Sequence, residues 1–200
     1  MAKLPFSFYR RDDVETIARE LLNAVLYTRI DGQLCAGRIV ETEAYAGTVD
    51  RACHAYGGRR TKRTEIMYLP GGHAYVYLIY GIHHLFNVVT HRKDQPHAVL
   101  IRALEPLKGV EVMSRRRNRP DNPYKLTGGP GLLTRALGIT TRDSGVDLTG
   151  DRIWLEESGE PVPEKTIVRG PRIGVDYAGA DALLHRRYWI KDNPWVSGKK

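Results

Sequence analysis

Apolar residues at Val14, Ile17, Leu21, Leu22 and Val25 recur at the three-and-four spacing that turns one side of an α-helix inward. Asp12 or Asp13 can cap that helix, and Asp12 with Glu15 matches a capping box. Beyond a turn bracketed by Gly32 and Gly37 the period changes to two. Along Arg38–Tyr45, alternation predicts Ile39, Glu41, Glu43 and Tyr45 on one face and Val40, Thr42 and Ala44 on the other. Gly47–Arg63, rich in glycine and charge, reads as a long loop of the kind that often carries function. Tyr68–His73 contains Pro-Gly-Gly and reads as a turn. Ala74–Tyr80 and Ile82–Thr90, separated by Gly81, read as a β-hairpin with Tyr75 and Tyr77 on one face and Tyr80 beside the turn.

Val99–Leu104 is a buried-looking strand that Pro106 should end, followed by a short helix near Val110–Arg117. A second helix should follow Gly128-Gly-Pro-Gly131, run through Leu132–Leu137 and stop at Gly138. Short strands are expected around Ile153–Leu155, Thr166–Val168 and Tyr188–Ile190. With no repeat, low-complexity tract or boundary, residues 1–200 read as a single domain, a length that can bury a proper core.

Charge narrows the partner. Lys and Arg total 31 against 23 acidic residues, a net +8 that favours a polyanion without identifying one. The basic residues gather between Arg102 and Arg142, where nine face three acids and include the run Arg115-Arg116-Arg117. Two cysteines, Cys35 and Cys53, are too few for a disulfide scaffold, and the start reads as non-secretory, so a reducing cytoplasm is expected. The apolar stretch around Ala74–Ile82 falls short of the ~18 residues of a membrane span.

Six of the eleven tyrosines lie between Tyr45 and Tyr80, alongside Glu41, Glu43, His54 and the basic run Arg59-Arg60-Thr61-Lys62-Arg63. Carboxylates supply acid or base work, aromatic faces hold a base removed from its stack, and arginines hold phosphates, so the combination suggests chemistry on a nucleic-acid base. Glu41 taken alone reads as a surface or salt-bridge residue. Glu43, sharing a face with Tyr45 ahead of the loop, fits a general base that activates water. Tyr75 reads as packing, whereas Tyr80, bulky and beside a hairpin glycine, fits a wedge entering the duplex. His54 reads as a metal ligand, a hydrogen-bond donor to a base or an ordinary loop histidine. Metal is the weakest of these, because neither the histidines nor the cysteines have zinc-ligand spacing. Gly128-Gly-Pro-Gly131 offers a phosphate seat at a helix start, although such an entry is more often only a turn.

Arg38-Ile-Val-Glu-Thr-Glu-Ala-Tyr45, followed by His54, Tyr77-Leu-Ile-Tyr-Gly81, Asn87 and Arg102-Ala-Leu-Glu-Pro106, closely resembles the alkyladenine (3-methyladenine) DNA glycosylase family. The likeness continues through Gly128–Gly131 and Arg172-Ile-Gly174 to Asn193–Ser197, in the family's order, and the length suggests a bacterial-type member. It implies an α+β fold: one mixed domain with a curved antiparallel β-sheet, a protruding β-hairpin and flanking helices. It also implies a monofunctional base-excision enzyme without cofactor or metal, acting as a monomer on double-stranded DNA containing alkylated or deaminated purines. By the resemblance Glu43 is the general base and Arg102 its partner, with the Ile173 carbonyl completing the water site. Tyr45, His54 and Tyr77 line the purine pocket, and Asn87 sits at its edge. Tyr80 fills the gap in the helix, and Arg59, Arg60, Gly129 and Gly131 contact the DNA backbone. Leu132 stands where the family commonly carries Lys, so Lys125 and Arg135 are the cations expected to compensate.

Two other readings compete. A non-catalytic DNA-bending module would use the same tyrosine wedge and arginines, and a helix-hairpin-helix glycosylase would use Gly-Pro-Gly but requires a mostly helical chain.

Overall fold

A computed structural model describes residues 2–198. Asp13 caps helix α2 (Val14–Glu20), which follows the one-turn helix α1 (Phe6–Tyr9); the Asp13 carboxylate accepts from the Glu15 and Thr16 N–H groups at 2.9 and 3.2 Å. The cap is therefore Asp13, and the Asp12–Glu15 capping box does not form. Glu15 instead bonds Arg186 and the Tyr188 hydroxyl. The helix ends earlier than its apolar spacing suggests, because Val25 opens strand β1 (Val25–Ile30). A turn at Asp31-Gly32, both with positive φ, leads into β2 (Gln33–Tyr45). Gly37 is thus inside a strand rather than at a turn. A side chain there would press a Cβ to 2.9 Å from the Leu104 Cβ.

The remaining strands are β3 (Ala74–Ile79), β4 (His83–Thr90), β5 (His97–Lys108), β6 (Ile153–Glu156), β7 (Ile167–Gly170) and β8 (Arg187–Ile190). They form one eight-stranded sheet, in the order β3-β4-β5-β2-β1-β6, with β8 joining β2 to β7 and every ladder antiparallel. This is the expected α+β architecture, and its eight strands exclude the helical helix-hairpin-helix alternative.

One irregularity sets the geometry of the centre. Opposite β5, Ile39 pairs with Leu104 and Glu41 with Ala103, leaving Val40 extra; Thr42 then pairs with Ile101, leaving Arg102 extra on the other strand. Such paired bulges re-aim side chains. They also shift Ile39 and Val40 off their expected faces: Ile39 joins Thr42 and Ala44 on the core side and Val40 packs with Ala103 and Val196, while Glu41, Glu43 and Tyr45 share the other face as alternation predicts. At the same point β2 changes its second neighbour. Ile39 bonds Ala24 and Asn23 beside β1, whereas Glu41–Glu43 pair with β8.

The core lies between the sheet and helices α2 and α4 (Pro130–Leu137), with Ile17, Leu21, Leu26, Ile101, Leu104 and Leu137 fully enclosed. Pro130 opens α4 and Gly138, at φ +81°, closes it, the arrangement the helix ends require. The arginine run lies on or just after α3 (Val110–Arg116). Strand β5 continues through Pro106 to Lys108 instead of stopping before it. The β4 ladder ends at Leu100, so Pro106 removes no donor from that pairing.

Candidate active site

The sheet's second face carries the candidate site. Strands β3 and β4 send Tyr75, Tyr77 and Asn87 to it, β5 sends Leu100 and Arg102, and β2 sends Tyr45. Together with the loop after β2 and the Gly129–Leu132 entry of α4, they surround a cavity of about 970 Å³. At its rim β3 and β4 turn through Tyr80 and Gly81, both with positive φ (53° and 70°), and the Ile82 N–H bonds the Ile79 carbonyl at 3.2 Å. Positive φ at both central positions is what a type I′ hairpin needs. Tyr80 is 85% exposed at this tip.

Glu43 is fully buried behind the cavity wall. Its Oε1 accepts from the Ile173 N–H at 2.8 Å and from Arg102 Nη1 at 3.0 Å, and its Oε2 accepts from the Tyr45 hydroxyl at 2.8 Å. Those three residues, not Glu43 itself, line the cavity. Ile173 thus meets Glu43 through its N–H, a contact separate from the water site expected at its carbonyl. Burial, then the Glu43 charge, pushes the Tyr45 phenol well above its usual range, so Tyr45 remains a neutral donor.

Glu41 is equally buried and wholly engaged. It accepts from Arg102 Nε at 2.9 Å, Arg187 Nε at 2.6 Å and the Ser197 N–H at 2.7 Å. Arg102 thus bridges both acids and also reaches Ser197 Oγ at 3.3 Å. Burial alone would lower the Arg102 pKa, but the two carboxylates outweigh it and hold the guanidinium charged. Two acids and two arginines balance in this buried quartet. Beneath Tyr45, Arg172 grips Asp50 at 2.5 and 2.9 Å and lies 4.9 Å from the Tyr45 ring centre.

His54 lies edge-on to Tyr77 at 4.6 Å, and its Nδ1 is 2.9 Å from the Tyr75 hydroxyl. Burial, together with Arg63 and Arg59, pushes its pKa down to about 4, so the ring is neutral near pH 7. Asn87 is buried and fixed by a 3.1 Å bond from its amide to the Tyr75 carbonyl. Gly131 packs so closely on the hairpin that an added Cβ would sit 3.0 Å from His83.

The expected backbone-binding residues separate into two groups. Arg59, Gly129 and Gly131 reach the cavity rim. Arg60 is already paired with Glu65 and Asp94 at 2.7 and 2.9 Å, Lys125 is exposed beside α4, and Arg135 bonds the Arg116 carbonyl. Sequence reasoning placed Arg63 only within a phosphate-holding basic run and gave no role to Tyr177, Arg187 or Ser197. The first two line the cavity and the last two anchor Glu41. Ser197 lies within a stretch matched by resemblance, but only the folded C-terminus brings it to Glu41.

The methylpurine-DNA glycosylase (MPG) family model matches residues 7–194. This chain belongs to that family. Curated relatives bearing the name "Putative 3-methyladenine DNA glycosylase" include one from Bacillus cytotoxicus, 46% identical across 98% of this chain and 99% of its own length. Another, from Clostridium perfringens, is 42% identical over 98% of this chain and 100% of its own. One from Desulfitobacterium hafniense is 44% identical over the whole of both. The methylpurine-DNA glycosylase match thus spans every element that builds the cavity. Among the described residues no helix is long and apolar enough to cross a membrane, and no cluster of three His, Cys, Asp or Glu is placed to hold a metal ion.

Proposed function

We propose that the chain is a monofunctional DNA glycosylase of base excision repair. It extrudes an alkylated purine from duplex DNA, 3-methyladenine first and 7-methylguanine, hypoxanthine or ethenoadenine as further candidates, and hydrolyses its N-glycosidic bond. The observation that carries this reading is the aromatic cavity backed by a buried, charge-balanced carboxylate: Tyr45, His54, Tyr77 and Arg102 at the wall, Glu43 directly behind.

Glu43 Oε1 is occupied by two donors, and Oε2 holds only the Tyr45 hydroxyl, so Oε2 is the oxygen with capacity for a water. That water attacks the sugar C1′ as the bond to the base breaks. The bond's electrons go to the base and the water's proton to Glu43, leaving an abasic sugar. Alkylation at N3 or N7 makes the purine a cation, which both improves the leaving group and strengthens stacking on Tyr45 and Tyr77 by ~0.5–2 kcal/mol. Neutral His54 can meet such a cation without like-charge repulsion. Tyr80 fills the space vacated in the duplex, Asn87 disfavours the exocyclic amino group of guanine, and Arg59, Gly129 and Gly131 hold phosphates. Lys125 and Arg135 stand in for the cation absent at Leu132.

No lysine lines the cavity among the described residues, which supports water rather than an amine as nucleophile. Both cysteines are buried free thiols, in keeping with a reducing compartment. Chromatography of bases released from methylated duplex tests the reading. Release of 3-methyladenine with an intact, alkali-labile strand is expected. Absence of any released base, with lesion binding retained, would leave a non-catalytic DNA-bending protein, and borohydride trapping of a covalent adduct would refute the water nucleophile.

A further inference from the structure

Arg63 is the one cavity residue whose position conflicts with an open purine site. Its guanidinium lies 5.0 Å from the Tyr77 ring centre, and its Nη2 sits 3.1 and 3.3 Å from the two ring nitrogens of His54. A flat cation therefore already occupies the aromatic surface on which a flat, cationic base would stack. Its one further polar partner among the described residues is the neighbouring Tyr75 hydroxyl. Arg60, three residues earlier, is paired with Glu65 and Asp94, whereas Arg63 meets no carboxylate among the described residues and remains an exposed residue. A cation held by one ring face, a neutral imidazole and a phenol, with no carboxylate, is loosely bound, and a phosphate outcompetes those contacts through paired, charge-assisted hydrogen bonds.

We propose that Arg63 determines specificity for DNA over free purines: its guanidinium closes the Tyr77 face in the unbound protein, and a DNA phosphate at the cavity mouth draws it away as the base enters. This rests on the purine-site reading above. The cell's free adenine and guanine derivatives carry the same stacking surface as a flipped base but bring no polyanionic backbone. They must displace Arg63 unaided, and their apparent affinity falls by the fraction of time the site is open. A nucleotide within a duplex supplies the phosphate that opens it. Arg63 thus couples base entry to backbone engagement.

The experiment compares wild type with Arg63→Ala and Arg63→Lys, using neutral 9-methyladenine and the fixed cation 3,9-dimethyladeninium as probes of the free site by calorimetry. Arg63→Ala should bind both about five-fold or more tightly, the cation gaining at least as much because a like charge leaves. Arg63→Lys, which keeps the charge but lacks the flat fork, should fall between. The salt dependence of lesion-duplex binding should lose about one phosphate contact in Arg63→Ala. Unchanged, weaker or undetectable probe binding in Arg63→Ala overturns the closed-site role, and an unchanged salt slope overturns the phosphate release. Base release by wild type from methylated duplex is measured alongside. If that is absent the glycosylase reading fails by itself, and if it is present while Arg63→Ala gains nothing, only the role of Arg63 falls.

Discussion

Replacing Glu43 by Gln separates chemistry from architecture, provided Glu41→Gln is measured beside it. Gln retains the volume of Glu43, and its carbonyl can still accept from the Ile173 N–H and Arg102 Nη1; the Tyr45 hydroxyl can rotate to accept from the new NH₂. One carboxylate–guanidinium contact is weakened, a loss of about 1–3 kcal/mol. Glu41 is held by two guanidiniums and a backbone N–H, so Glu41→Gln removes the counter-charge that both arginines share inside the fold, at a cost of about 3–5 kcal/mol. At about 2–4 °C per kcal/mol for a chain of this size, Glu41→Gln should lower Tm by roughly 6–20 °C and Glu43→Gln by distinctly less. Excision should show the opposite order. Without its base, Glu43→Gln should lose about 10²–10⁴-fold in single-turnover release of 3-methyladenine, while a folded fraction of Glu41→Gln, assayed well below its Tm, retains most activity. Thermal denaturation by circular dichroism and base release at 20 °C on the same preparations decide the matter. If Glu43→Gln retains release within ten-fold of wild type, or if Glu41→Gln is inactive with an unchanged Tm, the acids have been assigned the wrong way round.

Tyr80→Gly should leave stability unchanged or raise it by about 0.5–1 kcal/mol, because the residue is exposed at positive φ, while excision from duplex falls and excision from a single-stranded lesion does not; equal losses on both substrates would refute the wedge. His97, whose pKa is pushed down to about 4 by burial, then His91 and Arg186, resists protonation in the fold but takes a proton near 6.5 when unfolded. Its contribution is complete above about pH 6.5 and disappears as pH falls toward 4, by at most about 3 kcal/mol, so His97→Gln should flatten the urea-measured stability slope across that window; an unaltered slope would contradict the shift. Gly131→Ala should cost about 1–3 kcal/mol by forcing the His83 contact apart, read as a Tm decrease, with no decrease if the hairpin yields freely.

Much of the site was legible because its parts are local. Glu43 and Tyr45 stand two residues apart on a strand, Tyr75 and Tyr77 share a face, and the hairpin tip is marked by Gly81. Alternation misplaced Ile39, since a bulge at Val40 depends on the register of a strand sixty residues away. Val25 fitted the helical spacing but was claimed by β1, tertiary pairing overriding a local period. Pro106 looked like a strand end because sequence does not reveal that β4 has already departed. Glu41 read as an ordinary salt-bridge residue, which its type supports, yet its burial and its Arg187 and Ser197 partners depend on the C-terminal segment folding back over β2. Arg63 was visible only as one member of a charge run. Which cation in such a run turns inward is set by loop conformation, which carries no periodicity.

The change of neighbour along β2 has a consequence for how substrate range can evolve. At Glu41–Glu43 the strand is hydrogen-bonded on both flanks, by β5 and β8, so amide exchange there should require opening of the whole sheet. The loop from Gly47 to Arg63 that completes the opposite wall belongs to no ladder. Insertions or replacements in that wall can reshape what the cavity admits while the buried Glu43 stays in register, leaving the acid and the choice of substrate open to change independently.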